Sequence, residues 1–166
     1  MATDFITSKF DTSTFETAVQ ARKIPLDQVF RNYDSQQAAA YAAHRSRAGY
    51  ASDLYRVLLD HFMISGGHFN ALLDVGCGTG EITRKLGGFF EHATGVDHSQ
   101  EMIQQAYSEL GFTKSGNKIQ YEVGNAEQLE KLHSVKPASV DLLTVGMAVS
   151  KLRNSSIALP ESLTYV

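Results

Sequence analysis

With 166 residues, 43% of them hydrophobic and 20% charged, the chain has material for one ordinary soluble domain with one real core. A net charge of −3 gives no basic surplus for nucleic acid or an anionic membrane, and no run of about 18 apolar residues offers a spanning helix. The single cysteine, Cys77, excludes an internal disulfide, no Cys/His spacing suits a metal, and Met1–Phe10 lacks the layout of a secretory signal, so the expectation is a cytoplasmic protein without metal.

Residues 1–32 are Thr/Ser-rich with scattered aromatics (Phe5, Phe10, Phe15) and read as a loosely ordered arm, with one short helix near 14–22 and a break at Pro25. Residues 33–70 read as a helical cover segment. Asp34 or Ser35 caps an alanine-rich helix over 36–47, and Gly49 interrupts it. A second helix starts near Ser52 with Leu54, Tyr55, Leu58, Leu59 and Phe62 on one face, and Gly66 and Gly67 end it. From residue 71 the pattern changes to strands at 71–75, 93–96, 119–123 and 140–145. Helices at 81–86, after Ser99, and at 126–132 alternate with them. On the helix after Ser99, Met102, Ile103, Ala106 and Leu110 form the buried face. Such alternation implies parallel pairing, hence an α/β sandwich.

The most informative stretch is Leu72-Leu73-Asp74-Val75-Gly76-Cys77-Gly78-Thr79-Gly80-Glu81, a buried strand running through a glycine turn into a helix. Glycines there permit a tight turn and close approach of a ligand to the backbone, and the helix start offers free N–H groups. The spacing is G-x-G-x-G, with Glu81 where a dinucleotide fingerprint has its third glycine. Asp74, two positions before the first glycine, is of little use to a pyrophosphate. It suits a ligand with a cationic amino-acid end, held directly or through water. Asp97 lies 21 residues after Gly76, at the end of the second strand, where a carboxylate can take both ribose hydroxyls or simply cap the next helix.

The block D-V-G-C-G-T-G-E closely resembles motif I of class I S-adenosylmethionine (SAM)-dependent methyltransferases. The resemblance implies that Asp74, Gly76, Cys77, Gly78 and Gly80 surround the methionine part of the cofactor. It implies that Asp97 holds the ribose, with His98 and Met102 flanking adenine, although Met102 suits core packing as well. Gly124-Asn125-Ala126-Glu127-Gln128-Leu129 resembles the segment that reads adenine through an Asp and the following N–H. Here Asn125 stands for that Asp, keeping an acceptor but losing charge assistance, and a plain surface turn is the alternative. Residues 139–149, with Gly146, resemble the fourth strand and the loop bordering the transfer site. Phe30, Tyr33, Tyr41, Arg45 and Tyr50 echo the cover segment of the trans-aconitate methyltransferase-like group. Tyr41, Arg45 and Tyr50 are site candidates on that basis, Tyr41 and Arg45 towards the cofactor, or all three are members of an amphipathic cover helix.

The resemblance covers about residues 30–149, and the 17 residues after Val149 show no further strand. The expected fold is therefore a Rossmann-like three-layer sandwich with a parallel sheet. It is incomplete against the seven strands of that family, with a SAM-binding core over 71–149 and a divergent tail over 150–166. A chain truncated in this way leaves 140–145 as an apolar edge open to a second copy or a partner chain. The implied function is SAM-dependent methyl transfer to a small-molecule acceptor, a carboxylate or hydroxyl by analogy. The alternative is a non-catalytic relative that binds SAM or a partner. Six histidines show no spacing that selects a base, so no catalytic residue is assigned.

Overall fold

The computed structural model describes residues 34–48, 52–135 and 139–146. The expected N-terminal arm, Phe30, Tyr33, Tyr50 and the tail lie outside the described residues, as does the side chain of Arg45.

Among the described residues two helices come first, α1 over Ser35–Ala48 and α2 over Ser52–Ile64. Asp34 caps α1 reciprocally: its Oδ1 accepts the Gln37 N–H at 2.7 Å while Gln37 Oε1 accepts the Asp34 N–H at 3.1 Å. Helix α2 ends at the expected glycines. The Gly67 N–H reaches Phe62 O at 2.9 Å and the Gly66 N–H reaches Met63 O at 3.1 Å, with Gly66 at φ 79°. That pairing satisfies carbonyls that the helix end would otherwise leave open.

Four parallel strands follow among the described residues: β1 (Ala71–Val75), β2 (His92–Asp97), β3 (Gln120–Val123) and β4 (Leu142–Val145), in spatial order β3-β2-β1-β4. Helix α3 (Glu81–Gly87) joins β1 to β2, and α4 (Gln100–Ser108) lies between β2 and β3. Central strands of a parallel sheet are covered on both faces and read as continuous apolar runs, which is why Leu72, Leu73 and Val75 are all buried. On one face Leu72, Ala93, Tyr121 and Leu142 pack with Leu86 of α3, Ile103 and Ala106 of α4 and Phe62 of α2. On the other, Leu73, Val75 and Val96 pack with Leu129 and Leu132 from the segment after β3. Beside β3, the Tyr107 hydroxyl donates to Tyr121 O at 2.7 Å and accepts the Tyr121 N–H at 3.2 Å. One side chain thus occupies a backbone pair that a neighbouring strand would use.

Three expectations need correction. The helix expected over 126–132 is a single 3-10 turn, Leu129–Lys131. Asn125 diverts the chain: its Oδ1 accepts the Glu127 N–H at 3.0 Å and its carbonyl the Gln128 N–H at 2.9 Å, local bonds that compete with a helix. Leu110 is 71% exposed, because α4 stops at Ser108 and Glu109 is extended. Leu54 is also exposed, and the apolar stripe of α2 packs through Tyr55, Leu58, Leu59 and Phe62 instead. Among the described residues no helix is long and apolar enough to cross a membrane, and no His/Cys/Asp/Glu group could hold a metal ion.

Candidate cofactor site

The C-terminal ends of β1, β2, β3 and β4 lie at one end of the sheet, and order reverses beside β1, with β2 on one side and β4 on the other. In open α/β sheets that crevice is where ligands bind. The glycine turn leaves β1 there. The Gly76 and Cys77 N–H groups both point to Val96 O, at 2.7 and 3.0 Å, so the start of the turn is fastened to the end of β2. Gly76, Gly78 and Gly80 have φ of 69°, 54° and 79°, left-handed values that side chains resist. A Cβ on Gly78 would meet only Tyr41 Cε1, at 3.8 Å, so this face of the turn is clear with Tyr41 of α1 over it. Gly80 has a different reason to be glycine: a Cβ there would lie 2.6 Å from the Tyr121 hydroxyl.

Asp97 sits against the turn. Its Oδ2 accepts the Gly78 N–H and its Oδ1 the Ser99 N–H, both at 2.9 Å. Capping of α4 falls to Ser99, whose Oγ accepts the Met102 N–H at 3.2 Å. Asp97 is therefore not the helix cap. His98 is exposed beside it, Nδ1 3.4 Å from Asp97 Oδ1, whereas Met102 is buried. Asn125 is exposed and Ala126 half-buried in the segment after β3, whose Gly124 N–H is bonded to Asp97 O at 2.9 Å. Gly146 follows Val145, the residue in register with Val75. The structure thus gathers Gly76, Cys77, Gly78, Asp97, His98, Asn125, Ala126 and Gly146 at one end of the sheet, with Tyr41 above the turn.

Asp74 stands apart from this surface. It is fully buried, its Oδ2 accepting from Thr83 Oγ1 at 2.6 Å and its Oδ1 from Thr144 Oγ1 at 2.9 Å. Direct contact with a ligand is closed to it. It ties β1 to α3 and β4 beneath the turn. Burial pushes its pKa up to about 6, against the bonds from Thr83 and Thr144, with the Asp97 charge raising it further. A carboxyl raised from 3.8 contributes stability that is full below about pH 4 and lost as pH rises through about 6. Between pH 4 and 7, Asp74→Asn should therefore remove about 3 kcal/mol of pH-dependent stability. The check is the difference between wild-type and variant melting temperatures across that range, which should shift steadily in favour of the variant as pH rises.

Burial, together with the Asp74 and Asp97 charges, also pushes the Cys77 thiol up, so it is protonated and a poor nucleophile near neutral pH. Residues that sequence reading missed support the turn from below. Thr83 and Thr144 hold Asp74, and the half-buried Arg84 donates to Thr79 O at 2.7 Å while pairing with Glu109 at 2.8 Å. A polar residue in an apolar strand was the available signal for Thr144, which is in register with Asp74.

The residues present fit an adenosyl cofactor with a cationic amino-acid end. The turn is clear at Gly78, and each Asp97 oxygen, after accepting one N–H, keeps a lone pair for a ribose hydroxyl. The buried carboxylate Asp74 and Asp97 make the end of β1 and β2 favourable to positive charge.

Residues 72–160, more than half of the chain, match a family described as a methyltransferase domain, and the chain belongs to that family. The match runs eleven residues beyond Val149, where the motif resemblance stops. The chain is similar to the demethylmenaquinone methyltransferases of two Leptospira interrogans strains, 29% identical over 115 residues, which is 65% of this chain and 45% of theirs. It is also similar to the probable S-adenosylmethionine-dependent methyltransferase CRG1 of Saccharomyces cerevisiae, 32% identical over 79 residues, 48% of this chain and 26% of that one. Its fold is like that of an S-adenosylmethionine-dependent methyltransferase from Clostridium acetobutylicum, with a TM-score of 0.50 and 24% identity over 68% of this chain and 44% of that one. The chain spans less than half the length of each of these relatives. With the family go the Rossmann-like fold and S-adenosylmethionine as cofactor.

Proposed function

We propose that this chain binds S-adenosylmethionine at the ends of β1 and β2 and transfers its methyl group to a small-molecule acceptor in the cytoplasm. The observation that carries the reading is the glycine turn fastened to Asp97 through the Gly78 N–H, open on its Gly78 face and set at the reversal of strand order. Asp97 would take the ribose hydroxyls. The turn from Gly76 to Gly80 would cradle the methionine end, with Asp74 acting through the turn it braces. Asn125 and the Ala126 N–H would read adenine, with His98 beside it. Tyr41 and Arg45 of α1, and Gly146 after β4, would border the bound molecule.

When bound, the cofactor supplies an electrophilic methyl group on a sulfonium. The protein's own contribution is orientation and exclusion of water, which can account for much of a transfer rate. Neither Cys77 nor Tyr121 is a base near neutral pH, since burial pushes the thiol up and the phenol to about 12. The resemblance to the trans-aconitate group supports a carboxylate or hydroxyl acceptor. The names of the Leptospira relatives bring demethylmenaquinone into the same panel. The experiment is incubation with methyl-labelled S-adenosylmethionine and that panel, followed by mass spectrometry. A product heavier by one labelled methyl group is expected. Cofactor binding without any methylated product would leave only the non-catalytic alternative.

A further inference from the structure

We propose that Glu122 is the positioning residue of the turn after β3, the clasp that holds Asn125 and Ala126 where the adenine is read. The proposal rests on the adenine role given to that turn above. Glu122 lies on β3, and its side chain is only 19% exposed. It accepts the His133 N–H at 2.9 Å and the Ser134 N–H at 2.9 Å, together with the Ser134 hydroxyl and, at 3.2 Å, the His133 ring nitrogen Nδ1. One carboxylate therefore fastens the far end of the excursion 124–134 back to the strand it leaves. The near end is held by the Gly124 N–H on Asp97 O, at 2.9 Å.

The closure is tight. With residues 133 and 134 held, Leu132 folds back on Gly124, where a Cβ would lie 2.5 Å from Leu132 Cδ2 and 3.0 Å from Val96 Cγ1. Leu129 and Leu132 are buried against β1 and β2 in consequence. Asn125 and Ala126 ride between these anchors, so their place beside Asp97 depends on the clasp. The group must be an acceptor: three of its contacts are N–H or O–H donors, and an amide would turn donors of its own towards one of the two N–H groups. Partial burial pushes the Glu122 carboxyl up, but the His133 N–H, the Ser134 hydroxyl and N–H, and the His133 ring outweigh it and hold the pKa down at about 2. The clasp is thus ionised at any working pH. Lys131 is engaged elsewhere, with its Nζ 3.1 Å from Gln128 Oε1.

The test uses the full chain as wild type, Glu122→Gln and Glu122→Ala. Hydrogen exchange of the ligand-free protein is read over 125–134. Affinities are measured for S-adenosylhomocysteine and for S-inosylhomocysteine, which lacks the adenine amino group. The wild type should prefer the adenosyl compound by about tenfold, the worth of one well-placed hydrogen bond. Glu122→Ala should exchange faster over 125–134, bind S-adenosylhomocysteine about tenfold more weakly and lose the preference. Glu122→Gln should fall between, and it decides the matter if the alanine variant does not fold. Faster exchange with affinity and preference intact would overturn the proposal, as would unchanged exchange. A wild type without preference would sink the adenine reading, and this proposal with it, whatever the exchange data show.

Discussion

Asp97→Asn is expected to weaken S-adenosylhomocysteine binding at least about 100-fold, from the loss of about 3 kcal/mol in two charge-assisted bonds to the ribose. The geometry makes the effect large for two reasons. Each carboxylate oxygen already accepts one backbone N–H, from Gly78 or from Ser99, and still has capacity for a hydroxyl. An amide turns one of those oxygens into a donor aimed at a donor, so the variant loses its grip on the turn as well as on the ligand. Titration calorimetry of wild type and variant measures the loss. The fold should survive, because Ser99 rather than Asp97 caps α4 and the Gly76 and Cys77 N–H groups keep their bonds to Val96 O. A folded variant with wild-type affinity would remove Asp97 from the site.

Gly80→Ala should destabilise the protein by about 3 kcal/mol, lowering the melting temperature by about 10 °C. Two costs add. The φ of 79° places a side chain in the left-handed region, worth about 1–2 kcal/mol, and the Cβ would stand 2.6 Å from the Tyr121 hydroxyl. The ring cannot withdraw easily, because it already fills the space over Gly95, where a Cβ would lie 2.8 Å from its Cδ1, and packs edge-on to Tyr107 at 5.3 Å. Gly116→Ala is the control. It shares φ +79° but nothing lies within 4 Å of its Cβ, so it should cost only about 1 kcal/mol. Thermal melts of the two variants separate backbone strain from the clash with Tyr121. Equal losses would mean that Tyr121 does not determine the residue at position 80.

Much of the fold was legible because its signals are local. The run Leu72–Val75 into three glycines, the strand ending at Asp97 and the cap at Ser99 each lie within a few residues, and the structure has β1, the turn, α3, β2 and the start of α4 where the pattern put them. The segment after β3 was misread for a physical reason. Leu129 and Leu132 are three apart and suit a helix face, yet the same spacing lets a looped segment plug the open face of the sheet. Asn125 decides between the two by accepting the Glu127 N–H on its side chain and the Gln128 N–H on its carbonyl. Contacts between distant residues were beyond reach. Nothing in the order of residues brings Thr144 to Asp74, 70 positions away, or Ser134 to Glu122. The burial of Asp74 had the same cause: beside glycines it reads as a ligand group, and only the register of β4 against β1 reveals its seat.

The central claim is tested most directly by titrating the folded wild-type protein, by calorimetry, with S-adenosylmethionine and separately with NAD. Saturable binding of S-adenosylmethionine at one site per chain, with no binding of NAD, is the expected result. Binding of NAD in competition with S-adenosylmethionine, or no heat with either from a folded protein, would contradict the assignment of the glycine turn and Asp97 to this cofactor.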